Sequence, residues 1–247
     1  MLISVIIPAY NEETTIASVI EKIQTVQLSP GVSKEIIIVN DGSTDGTKNI
    51  IDRFEGIKGF IVIHQNNQGK TGALLAGIRA SKGEILLIQD ADSEYDPAEY
   101  PQLLAPILNG TAQVVYGSRF LGTIKGMQPI NRWANGISNW TVNFLFKTKI
   151  TDINTCYKIF TRQAIEGITI CGRNFDFDCE FTVKLLNKGI RIKEVPIAYT
   201  ARSREAGKKI KWSTALIMFW QIIKYRFKFF NHDKTGLNDN KKDRASA

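Results

Sequence analysis

Short apolar runs alternate with amphipathic stretches through the first half of the chain. Runs at 2–7, 35–39, 60–64, 84–89 and 112–117 are dominated by Ile, Val and Leu and are too short for ordinary helices, so they predict strands. Between them, residues 13–26, 45–55, 70–82 and 97–108 carry the spacing of helices, with Asp45 and Asp96 placed as caps and Pro97 directly after the second. This alternation predicts an α/β fold, a mostly parallel sheet with helices on both faces. Ligands of such sheets sit beyond the carboxyl ends of the strands. Pro8-Ala9-Tyr10-Asn11-Glu12, Asp41 and Asp90-Ala91-Asp92 all fall there.

The second half is less regular. The Gly- and basic-containing stretch Arg119 to Arg132 reads as a loop, Trp133 to Phe146 as an apolar helix, and 177–189 as a helix leading into a strand over Ile190–Pro196. Near the end, residues 211–230 read as an amphipathic helix. Wound helically, Leu216, Phe219, Trp220, Ile223, Phe227 and Phe230 share one face, while Thr214, Gln221, Lys224 and Lys228 share the other. Its apolar core is too short to span a bilayer. A basic helix of this kind suits an anionic membrane surface, and the same face equally suits packing on the domain or in a homodimer. Residues 231–247, rich in Asn, Asp, Lys and Ser, predict a disordered tail.

Charge changes the picture mainly by where it sits. The net +8 comes from the last fifth of the chain, since residues 1–201 hold 20 Lys+Arg and 20 Asp+Glu, against 12 and 4 from Arg202 onwards. A neutral body with a basic end argues against a nucleic-acid binder, whose positive footprint would spread over a face. It argues for an anionic partner met at one edge. Cys156, Cys171 and Cys179 show neither metal-ligand spacing nor an even-numbered framework, which suits a reducing compartment. The amino terminus runs from an apolar stretch straight into a turn without a basic leader, so it reads as a first strand, and the expected location is cytoplasmic.

The chemistry is concentrated after the fourth strand. Asp90-Ala91-Asp92, followed by Ser93-Glu94, delivers three carboxylates onto one turn, a hard-oxygen site suited to Mg²⁺ or Mn²⁺ holding a diphosphate. A plain acidic loop is the competing reading. A second acid-rich turn, Val39-Asn40-Asp41-Gly42-Ser43-Thr44-Asp45-Gly46-Thr47, follows another apolar run, which points to one shared cleft. Gln68-Gly69-Lys70-Thr71 is not a P-loop, because His64 stands where that pattern needs its first glycine. Lys70 is then solvated or near a phosphate. His64 and His232 are too few for a zinc or catalytic constellation, and no Ser or Cys sits in a nucleophile elbow.

Taken in order, Ile7-Pro8-Ala9-Tyr10-Asn11-Glu12, Asn40-Asp41-Gly42-Ser43-Thr44-Asp45-Gly46, Asp90-Ala91-Asp92, Gly117-Ser118-Arg119, Asp152 with Tyr157-Lys158, and Glu194-Val195-Pro196 through Tyr199, Arg202 and Lys208 carry a resemblance. Over roughly residues 1–210 the chain resembles family 2 glycosyltransferases of the GT-A fold, and within them the dolichol-phosphate mannose synthase and polyprenyl-phosphate hexosyltransferase group. The resemblance implies a glycosyltransferase domain over 1–210, with the amphipathic helix 211–230 and the tail 231–247 appended. It implies that Pro8, Tyr10, Glu12, Val39, Asp41, Lys70, Asp90, Ala91 and Asp92 bind a nucleotide sugar. Asp90, Asp92 and Glu94 would hold the divalent metal, Glu94 standing where mannose synthases place a Gln. Arg119, Arg132, Arg202 and Lys208 would bind phosphates of donor and acceptor, with Asp92, Arg119 and Arg202 closest to the chemistry. Cys156 replaces the glycine usual before the aromatic of Tyr157-Lys158, and Ser93 to Pro97 departs from the mannose synthases' own continuation.

The expected reaction is therefore inverting, metal-dependent transfer of a hexose, from a donor of the GDP-mannose or UDP-glucose type, to a polyprenyl (dolichyl or undecaprenyl) phosphate. It would take place at the cytoplasmic face of the membrane. An anionic acceptor needs capture and alignment more than deprotonation. A family 2 enzyme of cell-surface glycan synthesis acting on a saccharide hydroxyl would instead need a base, for which Asp176, Asp178 and Glu180 are the candidates. A membrane-recruited module that binds a nucleotide sugar without turning it over is the non-enzyme alternative.

Overall fold

The computed structural model describes residues 1–171, 177–202 and 219–227. Seven strands form one sheet: β1 Leu2–Ala9, β2 Ser33–Asp41, β3 Phe60–Gln65, β4 Ile85–Ile88, β5 Val114–Lys125, β6 Lys158–Thr161 and β7 Ile192–Thr200, in the order β3-β2-β1-β4-β6-β5-β7. Neighbouring strands are parallel except around β6, which runs antiparallel to both β4 and β5. The main helices are α1 Ile16–Thr25, α2 Thr47–Ile51, α3 Gly69–Ala80, α4 Tyr100–Leu108, α5 Pro129–Phe146, α6 Arg162–Ile165 and α7 Phe177–Asn187.

β1, β2 and β4 are buried nearly throughout, which is why their sequences read as unbroken apolar runs instead of alternating ones. The core follows from these strands: Ile3, Val5, Ile6 and Ile7 of β1, Ile36 to Val39 of β2 and Ile85 to Ile88 of β4, closed by Ile16, Val19, Ile20 and Ile23 of α1. α3 packs so closely that a Cβ on Gly77 would meet Ile6 Cγ2 at 2.4 Å. Glycine at this position therefore sets the helix–sheet distance.

Four features differ from the sequence-based expectation. The presumed loop after Gly117 is the continuation of β5, which runs on to Lys125 beside β7 with a register shift between Ser118 and Thr123. α5 begins at Pro129, so Arg132 lies in its first turn and not in a loop. β6 is four residues long and starts at the fully buried Lys158, a composition that hides a strand. Residues 219–227 are helical and turn Ile222 and Tyr225 inward, beside Val142 of α5 and Cys179 and Val183 of α7. The buried side is thus not the Phe219-Trp220-Phe227 face; Trp220 and Phe227 are exposed. The remaining residues of the expected 211–230 helix, the tail 231–247, Lys208 and Asp176 lie outside the described residues.

Candidate active site

The carboxyl ends of β1, β2 and β4 meet in one cleft, and two turns interlock to shape it. Asn11 adopts a left-handed backbone with φ of 55° and accepts from the Thr44 amide at 2.8 Å, while its own amide donates to Ser43 Oγ at 3.1 Å. Glu12 N donates to Thr47 Oγ1 and Glu13 N to Asp45 Oδ2, and Glu13 Oε2 accepts from Gly46 N. Asp45 also accepts from the Thr47 amide, but the N-cap of α2 is Gly46, so Asp45 stands one residue before the cap expected of it. Asp96 likewise accepts from Ala98 N.

Around this frame Val39 and Ala91 are buried, Pro8 is half-buried, and Tyr10 is exposed at the mouth. Asp41, 3% exposed, accepts from Gln65 Nε2 at 2.7 Å and from Gln68 N at 2.8 Å, which ties the end of β2 to the turn that starts α3. That turn sets Lys70, whose Nζ lies 2.5 Å from Asp90 Oδ1. Burial would push the Asp90 carboxyl up, and Lys70 and the Cys156 thiol overcome this and hold it below its ordinary value. Burial in turn raises the Cys156 thiol well above its usual range, so it stays protonated beside Asp90.

Asp92 is the site's least settled charge. Burial, then the charges of Asp90 and Glu94, push its carboxyl up to about 7, against the pull of Arg202. Arg202 Nη2 is shared between Glu12 Oε1 and Asp92 Oδ2. Glu94 is turned towards the end of β7, where its two oxygens accept from the Arg202 amide at 2.9 Å and from Tyr199 OH at 3.0 Å. Two neighbouring carboxylates, Asp92 buried and Asp90 partly so, that each draw in a cationic side chain fit a divalent cation. Asp90 and Asp92 would hold it, with Glu94 as third ligand after release of its present partners.

Arg119 sits on the other wall, where β5 leaves β6. Its Nε and Nη2 donate to the two oxygens of the fully buried Asp152 at 2.7 and 2.8 Å, its amide donates to the same residue, and its guanidinium lies 5.1 Å from the Tyr199 ring centroid. Asp152 is held in turn by Glu194, whose carboxylate accepts from Thr151 N, Thr151 Oγ1 and Asp152 N. Arg132 is apart from this network, exposed on α5 and 5.9 Å over the Phe120 ring.

The site therefore joins Glu12, Asp41, Lys70, Asp90, Asp92, Glu94, Arg119 and Arg202. Asp152, Glu194 and Tyr199 were named only as parts of motifs, and no positioning role was assigned to them. The signal available for the two acids was their place beside Arg119 in the strand order, which the short β6 conceals. Of the candidate bases, Asp178 pairs with the buried Lys158 at 2.5 Å, and the buried Glu180 accepts from the Cys171 amide and from Lys184. His64 lies away from the cleft. Its Nδ1 faces the Asn40 amide and its Nε2 lies 3.1 Å from Asp52 and 3.6 Å from Glu55, two acids from the segment before β3, and these three side chains converge closely enough to hold a cation at the surface.

The model of glycosyl transferase family 2 matches residues 4–169, spanning β1 to α6 and most of the cleft just described. The chain belongs to this family. Among its relatives is a low-salt glycan biosynthesis hexosyltransferase of Haloferax volcanii, 30% identical over 207 residues, covering 83% of this chain and 49% of the relative. Another is a dodecaprenyl-phosphate galacturonate synthase of Rhizobium johnstonii, 25% identical, covering 83% of this chain and 61% of the relative. The chain thus spans about half to two thirds of these family 2 relatives. In fold it is similar to glucosyl-3-phosphoglycerate synthase of Mycobacterium tuberculosis solved with Mn²⁺, UDP and glucosyl-3-phosphoglycerate, with a TM-score of 0.68, 21% identity and coverage of 91% of this chain and 78% of that one. This places the family 2 sheet in the GT-A class.

Proposed function

We propose that the chain catalyses inverting transfer of a hexose from a nucleotide sugar to a polyprenyl phosphate. The observation that carries this is the pairing of two unlike walls. The strands β1, β2 and β4 supply carboxylates for a nucleotide, sugar and metal. β5, β7 and the segment after β7 supply Arg119 and Arg202, cations suited to phosphate. Asp178 and Glu180, the described candidates for a hydroxyl-activating base, are both committed to lysines. The Rhizobium relative, named for a dodecaprenyl-phosphate product, supports the same acceptor class.

The steps follow from charge. Asp41 and the interlocked turns at Asn11 and Ser43 orient the nucleoside. A divalent cation on Asp90 and Asp92 supplies charge neutralisation for the departing diphosphate. Lys70 and Arg202, which pair with Asp90 and Asp92, are the cations placed to reach phosphate oxygens as negative charge grows there. The acceptor phosphate is already anionic, so Arg119, fixed by Asp152, serves to align its oxygen opposite the leaving group. Lys208 and Arg132 are acceptor contacts only by the resemblance: Lys208 lies outside the described residues, and Arg132 stands exposed on α5. Attack from that side inverts the anomeric centre.

A lipid acceptor implies a peripheral location on the cytoplasmic face of a membrane. Among the described residues no helix is long and apolar enough to cross a bilayer. The test is transfer from a panel of labelled GDP- and UDP-hexoses with Mn²⁺ or Mg²⁺ to a polyprenyl phosphate, beside the same lipid as a free alcohol and a soluble saccharide. Product with the phosphate alone supports the reading. Product with the saccharide alone replaces it by the hydroxyl-acceptor enzyme, and donor binding with neither transfer nor hydrolysis leaves the non-catalytic module.

A further inference from the structure

Helix α5 presents two unlike faces. Ala134, Asn135, Ser138, Thr141 and Val142 are buried, and Asn135 Oδ1 accepts from Arg119 Nη2 at 3.4 Å and from Asn154 at 2.9 Å, so this side belongs to the active-site wall. The other side carries Ile130, Trp133, Trp140 and Phe144, which are 38%, 57%, 62% and 69% exposed. Their spacings of three, seven and four place them on one stripe. The rings of Trp140 and Phe144 are stacked, with centroids 5.5 Å apart and planes 14° from parallel. A soluble surface scatters such residues singly; a stripe of three aromatics marks a contact.

The charge around the stripe selects the partner. Between Glu99 and Asp152 the chain contains Arg119, Lys125, Arg132, Lys147 and Lys149 and not one Asp or Glu. Arg132 in the first turn of α5, and Lys147 and Lys149 just beyond its end, are exposed. An isologous dimer through this face would gather the cations of both copies with no carboxylate of this stretch to receive them. An anionic bilayer receives both components at once, indole and phenyl rings among the head groups and cations on the lipid phosphates. The adjoining 219–227 helix continues the pattern, with Arg226 4.6 Å over the Phe146 ring and Trp220 exposed.

We infer that the outward face of α5 docks the protein on an anionic lipid bilayer, with Trp133, Trp140 and Phe144 entering the head-group layer. The inference rests on the lipid-phosphate acceptor proposed above and goes further, because it assigns the contact to α5 and not to the terminal helix alone. Asn135 and Trp133 lie two residues apart on opposite sides of one helix. Docking therefore brings the Arg119 wall to the depth of a lipid phosphate.

The experiment is co-sedimentation of the full chain with vesicles of phosphatidylcholine, with and without phosphatidylglycerol. The comparison sets wild type against Trp133→Ser/Trp140→Ser/Phe144→Ser and against Phe219→Ser/Trp220→Ser/Phe227→Ser. The expected result is phosphatidylglycerol-dependent binding by wild type and at least tenfold weaker partitioning by the α5 variant, with a retained cooperative thermal transition as proof of folding. Should the α5 variant fail to fold, a Trp212→Phe/Trp220→Phe chain reports through its remaining tryptophans, and brominated lipid must quench them. Retention of the α5 variant on vesicles, absence of quenching, or a wild-type dimer that the α5 substitutions dissolve without any vesicle binding would each overturn the inference. Vesicle binding through α5 by a protein that transfers nothing to polyprenyl phosphate would sink the acceptor reading and leave the docking face standing.

Discussion

Arg202 Nη2 lies 2.6 Å from Asp92 Oδ2, so the residue that follows β7 rests on the carboxylate proposed as a metal ligand. The same nitrogen reaches Glu12 Oε1. If Asp92 holds a divalent cation as proposed, that cation would compete with Arg202 for the same carboxylate, and the guanidinium would be left to a phosphate.

Asp92→Asn is expected to abolish metal-dependent transfer while keeping the fold, since it removes a charge and a ligand but preserves the acceptor of the Glu94 amide bond. Activity within a few-fold of wild type in a Mn²⁺-dependent assay would remove Asp92 from the metal site.

The pH dependence of metal binding follows from the same carboxyl. Burial and the neighbouring acids push Asp92 up to about 7, so the folded protein keeps a proton that the unfolded chain has already released. Without metal this contribution lowers stability as pH rises from the ordinary carboxylate range to about 7. A divalent cation bound to the ionised form reverses the sign. The Mn²⁺-induced rise in melting temperature should accordingly grow from about pH 5.5 to about pH 8. A rise that is equal at both, or a growth that survives in Asp92→Asn, would contradict the assignment.

Arg202→Ala should cost transfer to the phosphorylated acceptor more than binding of the bare nucleotide. Loss of one charge-assisted phosphate contact is worth on the order of 1.5–3 kcal/mol, roughly one to two decades in kcat/KM. Equal losses in isothermal titration with the nucleotide alone would place Arg202 on the donor.

Asp152→Ala leaves the guanidinium of Arg119, 7% exposed, without its bidentate partner. Breaking a buried pair from one side costs about 3–5 kcal/mol, so the variant should unfold at markedly lower denaturant concentration. A wild-type midpoint would mean that Arg119 finds water or another acceptor.

Gly122→Ala tests the irregular half of β5. A Cβ there would stand 1.9 Å from the Ile197 carbonyl oxygen, a backbone atom that cannot swing aside. The β5–β7 pairing should open locally and lower the melting temperature, and protection of the Ala198 to Thr200 amides from exchange should fall. Unchanged protection would show that the bulge absorbs the methyl group.

What the chain made legible was whatever its burial made uniform. β1, β2 and β4 are enclosed on both faces, so their Ile-rich runs announce both the strands and the turns that carry Asn11, Asp41 and Asp90. β5 past Gly117 escaped because a strand with exposed residues and a register shift loses its period. β6 escaped because its first residue is a lysine, buried only because Asp178 and the Tyr116 ring receive it. Glu12 and Arg202, 190 positions apart, are joined by the topology and not by any local pattern. Asp41 and Asp90 could be read as site residues from their strands, whereas the hold of Glu194 on Asp152 required knowing that β7 lies beside β5.

The reversal of β6 has a consequence for how such a chain diverges. Because β6 enters the sheet against its neighbours, the segment Asp152 to Tyr157 arrives at the same rim as the ends of β4 and β5 and stands between the two walls of the cleft. The wall proposed to bind the donor is built from the first 92 residues, in chain order. The acceptor wall is assembled from three separated segments, 119, 152 and 194–202, that touch only in the folded sheet. On the proposed roles, substitutions around Arg119 and Asp152 would alter the acceptor side while the first strands keep their own contacts, whereas a change at Arg202 would be felt on both sides through Glu12 and Asp92.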